Sequence, residues 1–291
     1  MKVGVHGKDF TRQSAPFIER ILEILSSRKA DIFVSSKFHK NLKSSSFSRF
    51  KLKTYEQGDN LKNLNLFLSI GGDGTLLDSV THIGKTEVPI LGINTGRLGF
   101  LATISREETE GALELIFKKE FRLDNRSLLK LESDHDLFNG FNFGLNDFTI
   151  VKKDTSSMIT VHTFIDGELL NSYWSDGIIV ATPTGSTGYS LSCGGPLVFP
   201  RSGNFVITPV SPHNLTVRPI VVSDECEITF QVEGRSKKYL VSLDSRIATV
   251  DETVKLKVVK ANFKVNLIEV KGHHYFKTLR QKLNWGLDIR N

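Results

Sequence analysis

Near residue 124 the spacing of apolar residues changes, and the change divides the chain into two different folding problems. Before it, short apolar runs alternate with amphipathic stretches. KVGVH (2–6), DIFVS (31–35), LNLFLSI (64–70) and VPILGIN (88–94) read as strands. Between them, residues 14–27 place Phe17, Ile18, Ile21, Leu22, Ile24 and Leu25 at helical spacing behind Ser14 as an N-cap. TLLDSVTHIG (75–84) reads as a helix closed by Gly84, and residues 105–119 open with Ser105 and Glu108 in a capping-box pattern. This alternation predicts an α/β domain with a doubly wound parallel sheet over residues 1–124. The polar, basic stretch 37–59, with its low-complexity KSSSFS, reads as a mobile connection.

After residue 124 the runs become short and rich in Val, Ile, Phe and Thr, and several alternate apolar with polar. FIDGEL carries Asp-Gly between two alternating runs, a strong hairpin signal. Residues 125–271 therefore predict an all-β domain. Helical spacing returns in YFKTLRQKLNW (275–285) through Phe276, Leu279 and Leu283. This helix is expected to pack back on the first domain, so residues 272–291 are grouped with 1–124.

A chain of 291 residues can bury two cores. Its net charge of +6 includes no long Lys/Arg block, which argues against nucleic acid as a partner and suits anionic small molecules. No apolar run is long enough to span a membrane, so no membrane partner is expected. Cys193 and Cys226 have no metal-ligand spacing and read as free thiols; with no signal-peptide pattern at MKVGVHGKDF, the expected compartment is the cytoplasm. His213 and Arg218 lie in a proline-flanked loop without a second metal ligand nearby, and no G-x-S-x-G elbow points to a serine hydrolase.

The chemistry begins at LSIGGDGTLL (68–77). Gly71, Gly72, Gly74 and Thr75 stand where a strand ends and a helix begins, a place where backbone amides and the helix terminus attract phosphate. The pattern is neither Walker A nor G-x-G-x-x-G. Asp73 sits in its midst. It either caps the helix or does proton or metal work beside a phosphoryl group. GINTGRLGFL (92–101) follows the next strand and carries Gly96, Gly99 and Phe100 around Arg97. Asn146 and Asp147 head a β-run, either as an Asx turn or as a grip on a ribose diol. The stretch 173–198 follows Asp176 and the apolar GIIVA with a loop dense in glycine and hydroxyls, including Thr182, Thr184, Ser186, Thr187, Ser190 and Ser192, with Tyr189 as a flat face. Ordering such a loop is costly without a ligand to bind.

GGDGTLL, NTGRLGFL, the Asn146-Asp147 pair, DGIIVATPTGSTGYSLSCGGP, SPHNLTVRPIV and YFKTLRQKLNWG occur in the order found in the NAD kinases, and the chain resembles that family, in its bacterial form, over nearly its whole length. GGDGT alone is shared with lipid kinases and, loosely, phosphofructokinases; with TPTGSTGYS it is specific. The resemblance implies an α/β domain followed by a β-sandwich-like domain. It implies transfer of the γ-phosphoryl of ATP to the 2′-hydroxyl of the adenosine ribose of NAD, giving NADP, with a divalent cation, usually Mg²⁺. It also implies assembly as a homodimer or homotetramer.

On this resemblance Asp73 is the catalytic base. The dinucleotide is contacted by Asp73, Gly74, Phe100, Asn146, Asp147, Asp176, Thr184, Thr187, Gly188, Tyr189, Ser190, Ser192 and Arg246. ATP phosphates rest on Gly71, Gly72, Gly74 and Thr75. No motif ligates the metal directly; ATP is expected to hold Mg²⁺, with Asp73 as a possible protein ligand. Four positions depart from the family pattern: Asp147 replaces a glutamate, Gly188 an alanine, Trp174 an arginine common in bacterial members, and Arg246 lies near its glutamine. They bear on the choice between NAD and NADH. Two rival readings are a lipid kinase, which would need an apolar membrane-facing surface, and a non-catalytic NAD(P)-binding regulator.

Overall fold

The computed structural model describes residues 1–11, 13–42, 46–154 and 157–286. Contacts group the chain into two compact units, Met1–Asn125 with Val265–Asn291, and Arg126–Lys264.

In the first unit β1 (Lys2–Gly7), α1 (Ala15–Ser27), β2 (Asp31–Ser35), α2 (Ser36–His39), β3 (Leu52–Tyr55), β4 (Leu66–Ile70), α3 (Asp73–Ile83), β5 (Ile90–Ile93) and α4 (Thr109–Phe117) follow in order. The strands pair in parallel as β5-β4-β1-β2-β3. Val3, Val5, Leu66, Leu68, Ile70, Leu91 and Ile93 join Ile18, Ile21, Leu22 and Leu25 of α1 and Leu113 and Ile116 of α4 in one buried core. The other face takes α3, where Leu76 packs so close to Gly92 that a Cβ there would lie 2.7 Å from Leu76 Cδ1. Helices thus cover both faces of the sheet, which buries it and explains its near-continuous apolar strands.

Sequence and structure differ locally. The stretch 37–59 contains α2 and the edge strand β3 rather than only a mobile connection, because Phe38, Leu42 and Phe47 are buried and tie it to the core. Residues 43–45 of its KSSSFS segment lie outside the described residues. Ser14 occupies the N-cap of α1 in helical conformation and makes no capping bond. Its hydroxyl instead accepts from Arg106 Nη2 at 2.8 Å. Regular α4 starts only at Thr109, yet Ser105 and Glu108 exchange both capping-box bonds, at 3.0 and 3.3 Å.

The chain runs on through β6 (Phe121–Ser133), β7 (Phe143–Gly144), β8 (Asp147–Lys152), β9 (Ile159–Ile165), β10 (Glu168–Ser175), β11 (Gly177–Ala181), α5 (Tyr189–Ser192), β12 (Asn204–Val210), β13 (Ile220–Ser223), β14 (Ile228–Glu233), β15 (Lys238–Leu243), β16 (Arg246–Asp251) and β17 (Leu256–Val270). In the second unit β10-β9-β14-β17 form one antiparallel array and β13-β12-β11-β8-β15-β16 another. Phe148, Ile150, Ile178, Val180, Phe205 and Ile207 from the second array meet Val161, Ile228, Phe230 and Val258 from the first in a shared core, a sandwich-like arrangement. The β9–β10 turn places Asp166 and Gly167 at φ 51° and 87°, as a two-residue Asp-Gly hairpin requires.

The distal end of β17 pairs with β5, Leu267 opposite Ile90, and leads to α6 (Tyr275–Leu283), which belongs to the first unit. Of the apolar residues spaced along α6, only Leu279 is buried; Phe276 and Leu283 face outward. Lys282 bonds the Leu98 carbonyl, and His273 stands 3.3 Å from Glu108.

Candidate active site

In the first unit β4 ends at Ile70 and α3 begins at Asp73. The N-cap is Gly72, so Asp73 is the first helical residue and does not cap the helix. Its carboxylate turns instead to the loop after β5. Oδ2 accepts from the Phe100 amide at 2.8 Å, and Oδ1 accepts from Leu101 and Ala102 at 3.0 and 2.9 Å. A carboxylate has about four lone-pair sites, so three bonds leave one open, on Oδ2. The fit is tight: a Cβ on Gly99 would lie 1.9 Å from Asp73 Oδ1. Only glycine allows the loop to approach the carboxylate this closely.

The loop is itself braced by a residue the sequence reading passed over. Asn94, 3% exposed, accepts from the Gly96 amide at 2.6 Å and donates to the carbonyls of Arg97 and Ala102. Gly71 is buried and its amide bonds Ile93 O, while Gly72 and Gly74 are exposed and Thr75 is buried. The exposed glycines leave backbone open at the positive end of α3. Lys8, just past β1, also stands here: a Cβ built on Gly74 would lie 3.7 Å from its Nζ. A lysine following a strand carries little signal in the sequence, and it was missed.

In the second unit three segments converge. Asp244, after β15, is at positive φ (53°) with its side chain 3% exposed. Its carboxylate accepts from the amides of Leu145, Asn146 and Asp147 at 2.9, 2.7 and 3.2 Å. The loop after β11 closes on the same turn: Thr182 N donates to Asn146 O at 2.8 Å, and Thr182 Oγ1 to Leu145 O at 2.5 Å. A Cβ on Gly185 would lie 2.1 Å from Asn146 O, and one on Gly188 would lie 3.9 Å from both Asn146 Nδ2 and Asp147 Oδ2. Asn146, Asp147 and Gly188 are therefore neighbours. Asn146 Oδ1 is buried without a hydrogen-bond partner, an orphan acceptor that suits a donor from a ligand.

Burial pushes the Asp147 carboxyl up to about 7, and the nearby Asp244 adds to the rise. Asp244 is also raised by burial, against the pull of its three amides. The sequence singles out Arg246 but gives no signal for Asp244, two residues before it. Arg246 itself bonds the carbonyls of Phe141, Phe143 and Leu243.

Of the other expected contacts, those in the loop after β11 lie near this turn, whereas Asp176 stands at the opposite end of β11. Thr184, buried, accepts from Arg126 Nη1 at 3.2 Å. Thr187 and Gly188 are half-buried, Tyr189 is 45% exposed and Ser192 is exposed. Ser190 is fully buried against Thr208 at 2.8 Å. The loop is not loose: a 3₁₀ turn at Gly185–Thr187 and α5 order it. Asp176 is paired with Lys152 at 2.6 Å. So Gly71, Gly72, Asp73, Gly74, Thr75 and Phe100 gather in the first unit. Asn146, Asp147, Thr184, Thr187, Gly188, Tyr189 and Ser190 gather in the second.

The chain matches the family model of the ATP-NAD kinase N-terminal domain over residues 3–121 and that of the C-terminal domain over residues 145–270. It is 51% identical over 297 aligned residues to a protein named NAD kinase from Cytophaga hutchinsonii, covering 100% of each chain. Among solved structures it is similar to yeast NADH kinase complexed with NADH, at TM-score 0.88 and 21% identity over 100% of this chain and 89% of that one. It is also similar to an NAD kinase from Archaeoglobus fulgidus in complex with ATP, at TM-score 0.72 and 26% identity over 98% and 99%.

Proposed function

The chain belongs to the ATP-NAD kinase family, and from that membership we propose how its own residues transfer the γ-phosphoryl of ATP to the 2′-hydroxyl of the adenosine ribose of NAD. The product is NADP. The observation that carries the assignment of roles is the Asp73 carboxylate, pinned by three amides with one lone pair left over. That oxygen receives the ribose proton as the 2′-oxygen bonds to the γ-phosphorus and the bond to the ADP oxygen breaks. The amides held by Asp73 keep it from rotating. Because phosphoryl transfer is largely dissociative, most of the rate comes from positioning and charge, with the base acting late.

ATP phosphates rest on the open backbone of Gly72 and Gly74 and on the terminus of α3, with Gly71 and Thr75 shaping the turn. Lys8 supplies a cation beside them. ATP chemistry implies a divalent cation. The open lone pair of Asp73 Oδ2 is the one hard donor site this carboxylate has left, and it is assigned to the ribose proton, so Mg²⁺ would be carried by the triphosphate. When bound, the ion would supply charge neutralisation to the phosphates. NAD is held by Asn146, whose orphan Oδ1 takes a ribose hydroxyl, and by Asp147, Asp176, Thr184, Thr187, Gly188, Tyr189, Ser190, Ser192 and Arg246 of the second unit. Asp147 is one methylene shorter than the family's glutamate, and Asp244 compensates by fixing the turn that presents it.

The working form is a cytoplasmic homodimer or homotetramer, a reading that follows the family resemblance; both cysteines are free. No helix among the described residues is long and apolar enough to cross a membrane. Incubation with ATP and NAD, followed by an NADP-specific dehydrogenase, is expected to register NADP. Dinucleotide binding without NADP would favour a regulator, and phosphorylation of a lipid alcohol instead would favour a lipid kinase.

A further inference from the structure

Away from the residues given roles above, the first unit holds a second chemical cluster. His6, Asp78 and His82 each bring one ligand-type atom to within 4.8 Å of the other two. Asp78 and His82 are four residues apart on α3, so both lie on one helix face. His6 comes from β1, between Val5 and Gly7, on the side of the strand opposite the core that holds Val3 and Val5. His6 is fully buried, His82 is 8% exposed, and Asp78 reaches partly to solvent.

The polar atoms of the cluster converge. His6 Nε2 stands 3.1 Å from Asp78 Oδ2, while its Nδ1 is 2.7 Å from Ser35 Oγ. A metal-bound imidazole uses its second nitrogen in this way, holding an outer oxygen that fixes the ring. The His6 and His82 rings are 4.5 Å apart between centroids, and His82 Nδ1 is buried without a hydrogen-bond partner. Leaving such a nitrogen unpaired is costly. Lys37 approaches Asp78 only at 3.9 Å and is 72% exposed, free to swing aside.

We propose that His6, Asp78 and His82 bind a Zn²⁺ ion, with water from the open side of Asp78 as fourth ligand. Zn²⁺ bonds of about 2.0–2.2 Å place tetrahedral ligand atoms roughly 3.3 Å apart. His6 and Asp78 are already near that spacing, and a small ring shift brings in His82. Two imidazoles and one carboxylate favour Zn²⁺ over Mg²⁺, which separates this ion from the one that accompanies ATP. The ion would clip α3 to β1, and α3 is the helix that begins at Asp73. The competing arrangement is a proton shared between His6 and Asp78, with no metal.

The test uses the full chain stripped with a chelator. Titration with Co²⁺ is expected to give one set of visible ligand-field bands at about one equivalent, and Zn²⁺ is expected to bleach them and raise Tm. Asp78→Asn and His82→Gln should each weaken Zn²⁺ binding by at least the roughly 10–100-fold that loss of a mere outer partner costs. They should also abolish the Zn²⁺-dependent rise in Tm. Asp78 is partly exposed, so its variant remains informative if His82→Gln does not fold. Absence of bands overturns the proposal, as does a Zn²⁺ affinity unchanged in the variant that folds.

Discussion

Two aspartates in this chain do the same local work in opposite surroundings. Asp73 gathers the amides of residues 100–102, and Asp244 gathers those of residues 145–147. Each pins one turn with three charge-assisted bonds. Asp73 is half-buried, at the start of a helix and beside exposed glycines. The Asp244 side chain is 3% exposed and faces a second carboxylate, Asp147. The same motif therefore leaves an oxygen open to solvent at the residue proposed as the base, and a buried carboxylate that only holds a turn at the other. Accessibility, more than hydrogen bonding, separates the two roles.

Substitution should pull the two apart. Asp73→Asn is expected to have the largest effect, a fall in kcat of about 10²-fold or more with KM for NAD little changed. The amide that replaces an oxygen also faces a backbone donor, so Tm should drop as well. Near-normal turnover would remove Asp73 from the chemistry. Gly99→Ala leaves the carboxylate in place chemically but pushes it by a Cβ that would start 1.9 Å from Oδ1. We expect a loss in kcat of roughly 10-fold or more, as misplacement of a reacting group predicts; an unchanged rate would mean that the loop yields freely.

Asp244→Asn should act on KM. It leaves one amide of the 145–147 turn unpaired at a cost of about 1–3 kcal/mol, enough to raise KM for NAD roughly 10-fold while kcat holds. An equal loss in kcat would break the distinction between the two aspartates. Lys8→Met should raise KM for ATP a few-fold and lessen its dependence on salt, as removal of a solvent-exposed cation would.

The smallest effect concerns stability. With its carboxyl raised to about 7, Asp147 holds a proton in the folded chain that the unfolded chain releases nearer 4. Its contribution is full below the unfolded value and is lost as pH rises through about 7. Tm should thus decline between about pH 4 and 7 in the parent, and Asp147→Asn should flatten that decline. A slope unchanged in the variant would assign the effect elsewhere.

The glycine loop was legible because its chemistry is contiguous: strand, glycines, carboxylate and helix fall within ten residues. So was the division into α/β and all-β parts, which rests on a change of period. What could not be read were pairings across distance. Asp73 meets amides 27–29 residues away, and Asp244 meets amides 97–99 residues away. Spacing along the chain carries no trace of either. The strand β3 was hidden for another reason: LKTY is short, at the sheet edge and follows the basic Arg49 and Lys51. The role of Asp73 as a cap was open in the sequence, and only the direction of its side chain removed it.

The route of the chain through β17 has a consequence for synthesis. The first unit is left near residue 125 and rejoined only at Val265, where the end of β17 lies beside β5. A nascent chain thus emerges with the whole sandwich still to come before its α/β sheet can receive that last parallel strand. Closing so long a loop is slow. Ile104 covers the Ile93 end of β5, but the Ile90 end must wait unpaired in the meantime, and an unpaired strand edge is a place where a growing polypeptide can find the wrong neighbour.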